Sequence, residues 1–328
     1  MEQEKVLEVD KLHAVFRIDK KEYEVLHDIS FTVHRNETVC IVGESGCGKS
    51  VTTLCIMGLL PKNGRITSGK ILLDGNNLVG LSDNEIRKYR GKKMGMIFQE
   101  PMTALNPLLT IGYQMRENLM NHRGMNKKEA DEAAVKYLQT VGIANAPDRM
   151  KQYPFQLSGG LRQRVLIAMV LSAQPDLLIA DEPTTALDVT IQKQVLTLLN
   201  DLKKDMNAGI LFITHDLGVV SEIADRVVVL YAGRKVEEGS VKQIIEHPLH
   251  PYTIGLLDAV PNIDKDEFEP KPIPGQFPNL QDVIPGCRFN PRCSHAKECD
   301  LCTKENPQMV EVEPGHFVAC HLVTKESV

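Results

Sequence analysis

No apolar run in this 328-residue sequence approaches the roughly 18–20 residues that a bilayer-spanning helix needs. A membrane role, if the chain has one, is therefore expected to run through a partner. The opening Met1-Glu2-Gln3-Glu4-Lys5 lacks the apolar core of a signal peptide, so the expected location is the cytosol. An excess of positive charge is missing too: 38 Lys and Arg stand against 43 Asp and Glu, a net charge of −5. There is no overall basic field to draw in nucleic acid. What is present, 42% apolar and 25% charged residues, is the composition of a soluble globular protein with room for one large domain or two.

One stretch organises the rest. Gly43-Glu44-Ser45-Gly46-Cys47-Gly48-Lys49-Ser50 reads G-x-x-x-x-G-K-S, directly after an apolar run (Thr38 to Val42) and before a helix-compatible segment. Glycines let the backbone fold tightly, so that successive N–H groups point inward at phosphate oxygens. The following helix turns its unpaired N–H groups and positive dipole end on the same anion. Lys49 would carry charge to the β- and γ-phosphates, and Ser50 would offer its hydroxyl to Mg²⁺.

Residues 6–34 alternate apolar and polar, predicting antiparallel strands with one face covered. Tyr23 and Phe16 are the candidates there to stack on a nucleotide base. Gly69 to Gly75 reads as a strand ending in a D-G turn, 81–93 as a charged helical stretch, and Met94 to Gln99 as a strand. Residues 108–150 turn helical, which predicts a helical subdomain, about 100–165, inserted in an α/β core. Leu157-Ser158-Gly159-Gly160 opens a further helix. Leu177 to Glu182 and Gly209 to Asp216 read as strands buried on both faces that deliver polar residues at their carboxyl ends. Asp181 is the expected Mg²⁺ ligand, direct or through a water, opposite Ser50, Glu182 the general base for an attacking water, and His215 a contact to the γ-phosphate. Taken singly, the acids read equally as a solvated pair and His215 as a structural histidine.

The order of these motifs resembles that of the ABC-type ATPases over about residues 5–240: the P-loop, Gln99, Leu157 to Gly160, Leu177 to Glu182, Thr185 to Asp188, and Thr214-His215-Asp216. The resemblance implies an α/β P-loop NTPase fold with an N-terminal antiparallel β subdomain. It also implies a head-to-tail dimer with two ATPs. Each site would use Gly43 to Ser50, Gln99 (also toward Mg²⁺), Asp181, Glu182 and His215 of one chain, and Ser158-Gly159-Gly160 of the other. Asp188 would carry cross-talk between the two sites; as a residue it reads equally well as a helix N-cap.

From His247 to Pro285 prolines are dense, and five of the eight cysteines crowd into 287–320. In a cytosolic protein such crowding points to metal rather than disulfides. His247-Pro248-Leu249-His250-Pro251-Tyr252-Thr253 and the cysteine tail resemble the oligopeptide/dipeptide/nickel importer ATPases, most closely the D-type subunit of peptide permeases. This divides the chain into an ABC-type domain (1–246) and a Pro- and Cys-rich C-terminal region (247–328). It implies a subunit that hydrolyses ATP to drive peptide import, with nickel or another metal chelate as the alternative cargo. Partners would be a second, related ATPase, two membrane permeases and an extracytoplasmic substrate-binding protein, with this chain on the cytoplasmic face of the membrane. A soluble ABC ATPase unconnected to transport is the rival class. The resemblance further implies a [4Fe–4S] cluster on Cys287, Cys293, Cys302 and Cys320. Cys299 is the alternative to Cys302, and a zinc site is the rival to the cluster.

Overall fold

The structure, a computed structural model, describes residues 4–99, 104–184, 189–259 and 271–323, apart from the Leu202 side chain. Among these, no helix is long and apolar enough to cross a membrane. The chain forms two compact units. One is built from Met1–Leu7, Val33–Glu37 and Gly80–Phe212, the other from Glu8–Thr32, Thr38–Val79 and Ile213–Val328.

Strands β1 (Lys5–Ile18) and β2 (Lys21–His34) bury alternate residues, such as Leu12 and Ala14, or Ile29, Phe31 and Val33, as period-2 patterning requires. β3 (Thr38–Val42) buries all five of its residues and leads through the glycine-rich loop into α1 (Lys49–Met57). β4 (Gly64–Leu73) and β5 (Asn76–Asn77) complete a four-stranded sheet in the order β2-β1-β4-β5. The D-G turn falls where expected: Asp74 and Gly75 take φ of 45° and 78°, and Leu73 pairs antiparallel with Asn76.

The Gly80–Phe212 unit opens with α2 (Asp83–Ile86), a single turn closed by reciprocal Ser82 and Glu85 contacts. The charged helix expected over 81–93 thus stops early. Gly91, at φ 81°, turns the chain into β6 (Met94–Ile97). The helical subdomain follows: α3 (Ile111–Arg123), α4 (Lys127–Thr140), α5 (Ala146–Arg149) and α6 (Gly159–Ser172). Ile111, Met115 and Leu119 on α3, and Ala130, Ala134 and Leu138 on α4, recur every four residues and are buried. β7 (Leu177–Asp181), α7 (Val189–Met206) and β8 (Gly209–Ile213) complete the unit. Its strands lie in the order β8-β7-β6, with β7 parallel to β6, and every residue of β7 and β8 is buried.

In the other unit, α8 (Leu217–Ile223) precedes β9 (Arg226–Tyr231), which runs parallel to β3. β10 (Arg234–Ser240) returns antiparallel to β9 and leads to α9 (Val241–Glu246) and α10 (Pro251–Asp258). The tail is not loop throughout. Its last hairpin, β11 (Val310–Glu313) and β12 (His316–Val318), extends the sheet by pairing β12 antiparallel with β10, giving the order β11-β12-β10-β9-β3 within this unit.

The His-Pro-rich segment is held by one buried acid. Glu237, with no exposed surface, accepts hydrogen bonds from Leu249 N (2.8 Å) and His250 N (3.0 Å), and pairs with His316 Nε2 at 2.8 Å. His250 caps α10 by accepting from Tyr252 N at 3.0 Å, so its Nδ1 must stay unprotonated. Burial pushes His250 down to about 4, against the opposing pull of Glu237. Between pH 6.5 and 4 the unfolded chain therefore takes up a proton that the folded chain refuses, and stability falls as pH falls. The loss at His250 should reach on the order of 3 kcal/mol by pH 4. Urea midpoints measured across this range should drop with pH. His250→Asn, which can still cap α10, should flatten the slope by that share.

Candidate functional site

The glycine-rich loop has a backbone that only glycine tolerates. Gly43, Gly46 and Gly48 take φ of 147°, 83° and 111°. A methyl group at Gly43 would run into Leu230 O, and one at Gly48 would meet Leu26 Cδ2 at 2.8 Å. Lys49, buried, turns its Nζ back into the loop, donating to Gly43 O (2.6 Å) and Glu44 O (3.0 Å). Ser45, Gly46 and Ser50 are exposed. A narrow cradle of backbone with one ammonium inside and an open mouth suits a polyphosphate. His215 belongs to the same unit and is exposed just beyond β8. Its neighbour Asp216 caps α8 by accepting from Gly218 N at 2.8 Å.

The acidic pair lies in the other unit. Asp181 is buried at the end of β7, and Glu182 follows with φ of 45°, a left-handed conformation that costs a non-glycine residue energy. Gln99 Nε2, just after β6, donates to Glu182 Oε2 at 2.9 Å, so two parallel strands deliver carboxylate and amide side by side. A further contact was not readable from spacing. Gln163, buried on α6, donates to Pro183 O at 2.8 Å and so ties the Ser-Gly-Gly helix to the loop carrying Glu182. Ser158 caps α6, accepting from Leu161 N at 3.4 Å; it and Gly159 are exposed, with open space where a Gly159 side chain would stand. Asp188 and the segment 100–103 lie outside the described residues. Of the two candidate aromatics, Phe16 lies over Gly64, where a methyl group would meet its ring at 2.8 Å, while Tyr23 is half-buried on β2.

The cysteine tail departs from expectation. Cys287, Cys293, Cys299, Cys302 and Cys320 lie within electrostatic reach of one another. Yet among the described residues no group of three or more His, Cys, Asp or Glu could hold a metal ion. Burial pushes Cys287 up to about 11 and Cys302 up to about 12, and Cys302 shares a hydrogen bond with Cys299. Burial thus favours the protonated thiols of Cys287 and Cys302, and a metal would have to displace those protons to bind there. The cluster expected on Cys287, Cys293, Cys302 and Cys320, its Cys299 variant and the zinc alternative are thus unsupported.

What the tail does reach is the phosphate loop. Arg292, on a single 3₁₀ turn (Asn290–Arg292), grips both carboxylate oxygens of Glu44 at 2.7 and 3.1 Å. Its Nε donates to Pro274 O at 2.9 Å. Tyr252 accepts from Glu44 N at 2.8 Å. Around them Tyr231 packs edge-on against Tyr252, Phe277 and Phe289, at centroid distances of 4.6–5.2 Å.

Known proteins share this architecture. Residues 26–185 match the ABC transporter family, and 236–299 match the C-terminal region of oligopeptide/dipeptide transporters. The oligopeptide transport ATP-binding protein OppD of Salmonella typhimurium is 48% identical over 98% of this chain and 95% of its own. The chain belongs to the ABC transporter ATP-binding family. AppD of Bacillus subtilis, also an oligopeptide transport ATP-binding protein, is 49% identical to this ABC ATPase over 98% of each chain. Among solved structures the ABC ATPase resembles the dimeric bacterial cassette MJ0796, with a TM-score of 0.65 and 28% identity over 72% of this chain and 98% of that one. It also resembles cbiO1 of Clostridium perfringens, with a TM-score of 0.64 and 27% identity over 75% of this chain and 92% of that one. Its chemistry is ATP hydrolysis, with Mg²⁺ as the ion expected to accompany the nucleotide, and the glycine cradle around Lys49 fits that substrate.

In this ABC ATPase the Arg292–Glu44 pair holds a residue of the cradle in place. Arg292→Ala should raise KM for ATP about tenfold, a loss of about 1.4 kcal/mol, with kcat little changed. Arg292→Lys, which keeps the charge but not the fork, should recover only part of this, as steady-state ATPase assays would show.

Proposed function

We propose that this chain is the ATP-hydrolysing subunit that powers import of peptides through separate membrane proteins, working from the cytoplasmic face. The observation that carries the reading is the C-terminal match over 236–299. Relatives named for oligopeptide and dipeptide transport, similar over nearly the whole chain, support it. In the proposed mechanism the loop amides of Gly43 to Ser50 bind the triphosphate and Lys49 neutralises its charge. Ser50 and Asp181 would hold Mg²⁺, which when bound supplies Lewis-acid polarisation of the phosphates. Glu182, kept in line by Gln99, takes the proton of the attacking water, and His215 steadies the γ-phosphate. Ser158, Gly159 and Gly160 form a second anion cradle at a helix N-terminus that serves the ATP of a partner cassette, so closure depends on ATP and relaxes on hydrolysis. The proposed partners are a second, related ATPase, two permeases and an extracytoplasmic binding protein. No step runs through metal in the tail.

Glu182→Gln should bind ATP as the parent does and lose about 10²–10⁴-fold in turnover; parental turnover in a radiolabelled-phosphate assay would remove Glu182 from the base role. Purification from native membranes in mild detergent should bring down two multi-span proteins and a second ATPase. Recovery with ribosomes and no membrane subunits would overturn the transport reading while leaving the ATPase intact.

A further inference from the structure

Within the unit that holds the phosphate loop, a second cavity opens between β2, β10 and the cysteine tail. Its volume is about 420 Å³. Lys11, His27, Arg234 and Arg288 line it, together with the apolar Phe289, Met309 and Phe317. Nothing in the ATPase chemistry uses these residues. We propose that this cavity is a binding site for a phosphate monoester with an apolar body.

Charge is the first argument. Arg234 and Arg288 both line the same space, and both are half-buried. Arg288 spends one N–H on Ala232 O at 3.2 Å, whereas Arg234 Nε is buried with no hydrogen-bond partner among the described residues. Two half-buried guanidinium groups side by side are costly unless an anion joins them. The acids nearby offset this only in part: Glu24 acts on both arginines but is committed to His13 at 2.6 Å and His27 at 2.9 Å, and Asp28, which also lines the cavity, acts on Arg234 as a nearby charge. Lys235 is likewise committed, to Ser30 O and Glu238.

The second argument is an orphaned ring nitrogen. His27 is 6% exposed; its Nδ1 meets Glu24, and its Nε2 is buried with no partner among the described residues. Buried polar atoms without partners are rare, and one lining a cationic cavity is an unfilled half of a hydrogen bond. A phosphate suits it in either protonation state, because a phosphate monoester can accept from a protonated ring or donate a P–O–H to a neutral one. A carboxylate under two arginines can only accept. Arg234, Arg288 and Lys11 together also offer more charge than one carboxylate balances, and guanidinium forks match phosphate oxygens. The space beyond the head group is apolar and aromatic, the usual composition of a small-molecule pocket. The site adjoins the catalytic loop through one turn: Gly233, next to Arg234, donates to Cys47 O and accepts from His27 N, both at 2.8 Å.

The test uses the full chain with its phosphate loop saturated by the Mg complex of a non-hydrolysable ATP analogue, whose three phosphates leave no place there for added phosphate. Calorimetric titration with phenyl phosphate should show one site per chain. Inorganic phosphate, which lacks the body, and benzoate, which lacks the phosphate head, should each bind at least tenfold more weakly. Arg234→Gln and Arg288→Gln should each weaken phenyl phosphate at least tenfold. Should either variant fail to bind the analogue, and hence to fold, the exposed Lys11→Ala supplies the same reading with a loss of about threefold or more. Absence of binding to the analogue-loaded chain, equal affinity in Lys11→Ala and the folded arginine variants, or tighter binding of benzoate would each overturn the proposal.

Discussion

A backbone that must run left-handed at three points within six residues is the constraint on which this structure rests. Gly43, Gly46 and Gly48 hold φ values that a side chain would resist, and at Gly43 and Gly48 the neighbouring atoms leave no room for one. Such a loop is stable only when both ends are immovable. The fully buried β3 fixes one end and α1 the other, and Gly233 N donates to Cys47 O from behind. The reward is a set of amides with a shape rather than a flexible segment, so that binding polyphosphate costs little ordering.

The same logic explains the tail. A phosphate loop needs support from outside, and here the supports come from more than 200 residues away: Tyr252 reaches the Glu44 amide and Arg292 its carboxylate. Glu237 in turn anchors the segment carrying Tyr252, by accepting two backbone amides and pairing with His316. Buried charge is costly unless its partners are complete, and Glu237 has three. The C-terminal region is thus joined to the nucleotide loop by a continuous series of polar contacts, whatever further task its cysteines perform.

What could be read from sequence was what is local. The P-loop, the double-buried β7 and β8, the D-G turn and the four-residue spacing on α4 each rest on neighbours within a few positions, and each is found in the structure. The length of α2 was not readable, because the charged run 81–93 has helical composition throughout, whereas the helix ends at Ile86. Nor was the union of Gln163 with Pro183, or of Arg292 with Glu44. Gln and Arg at those positions look like ordinary surface residues until the fold buries them. The order of motifs along the chain identified the family because order survives where individual contacts are invisible.

The cysteines mark the limit of such reading. Spacing alone groups five thiols in a short tail, and the fold does bring them within electrostatic reach. Ligation demands more: deprotonated sulfurs pointing at one centre at bonding distance. Here burial favours the protonated thiols of Cys287 and Cys302, and Cys302 turns to Cys299. The residue between them that acts on the rest of the molecule is Arg292, whose charge is held by Glu44 and whose guanidinium lies 5.9 Å from the Tyr231 ring centre. In this arrangement the cysteine tail reaches the ATP loop through a guanidinium, that of Arg292 on Glu44.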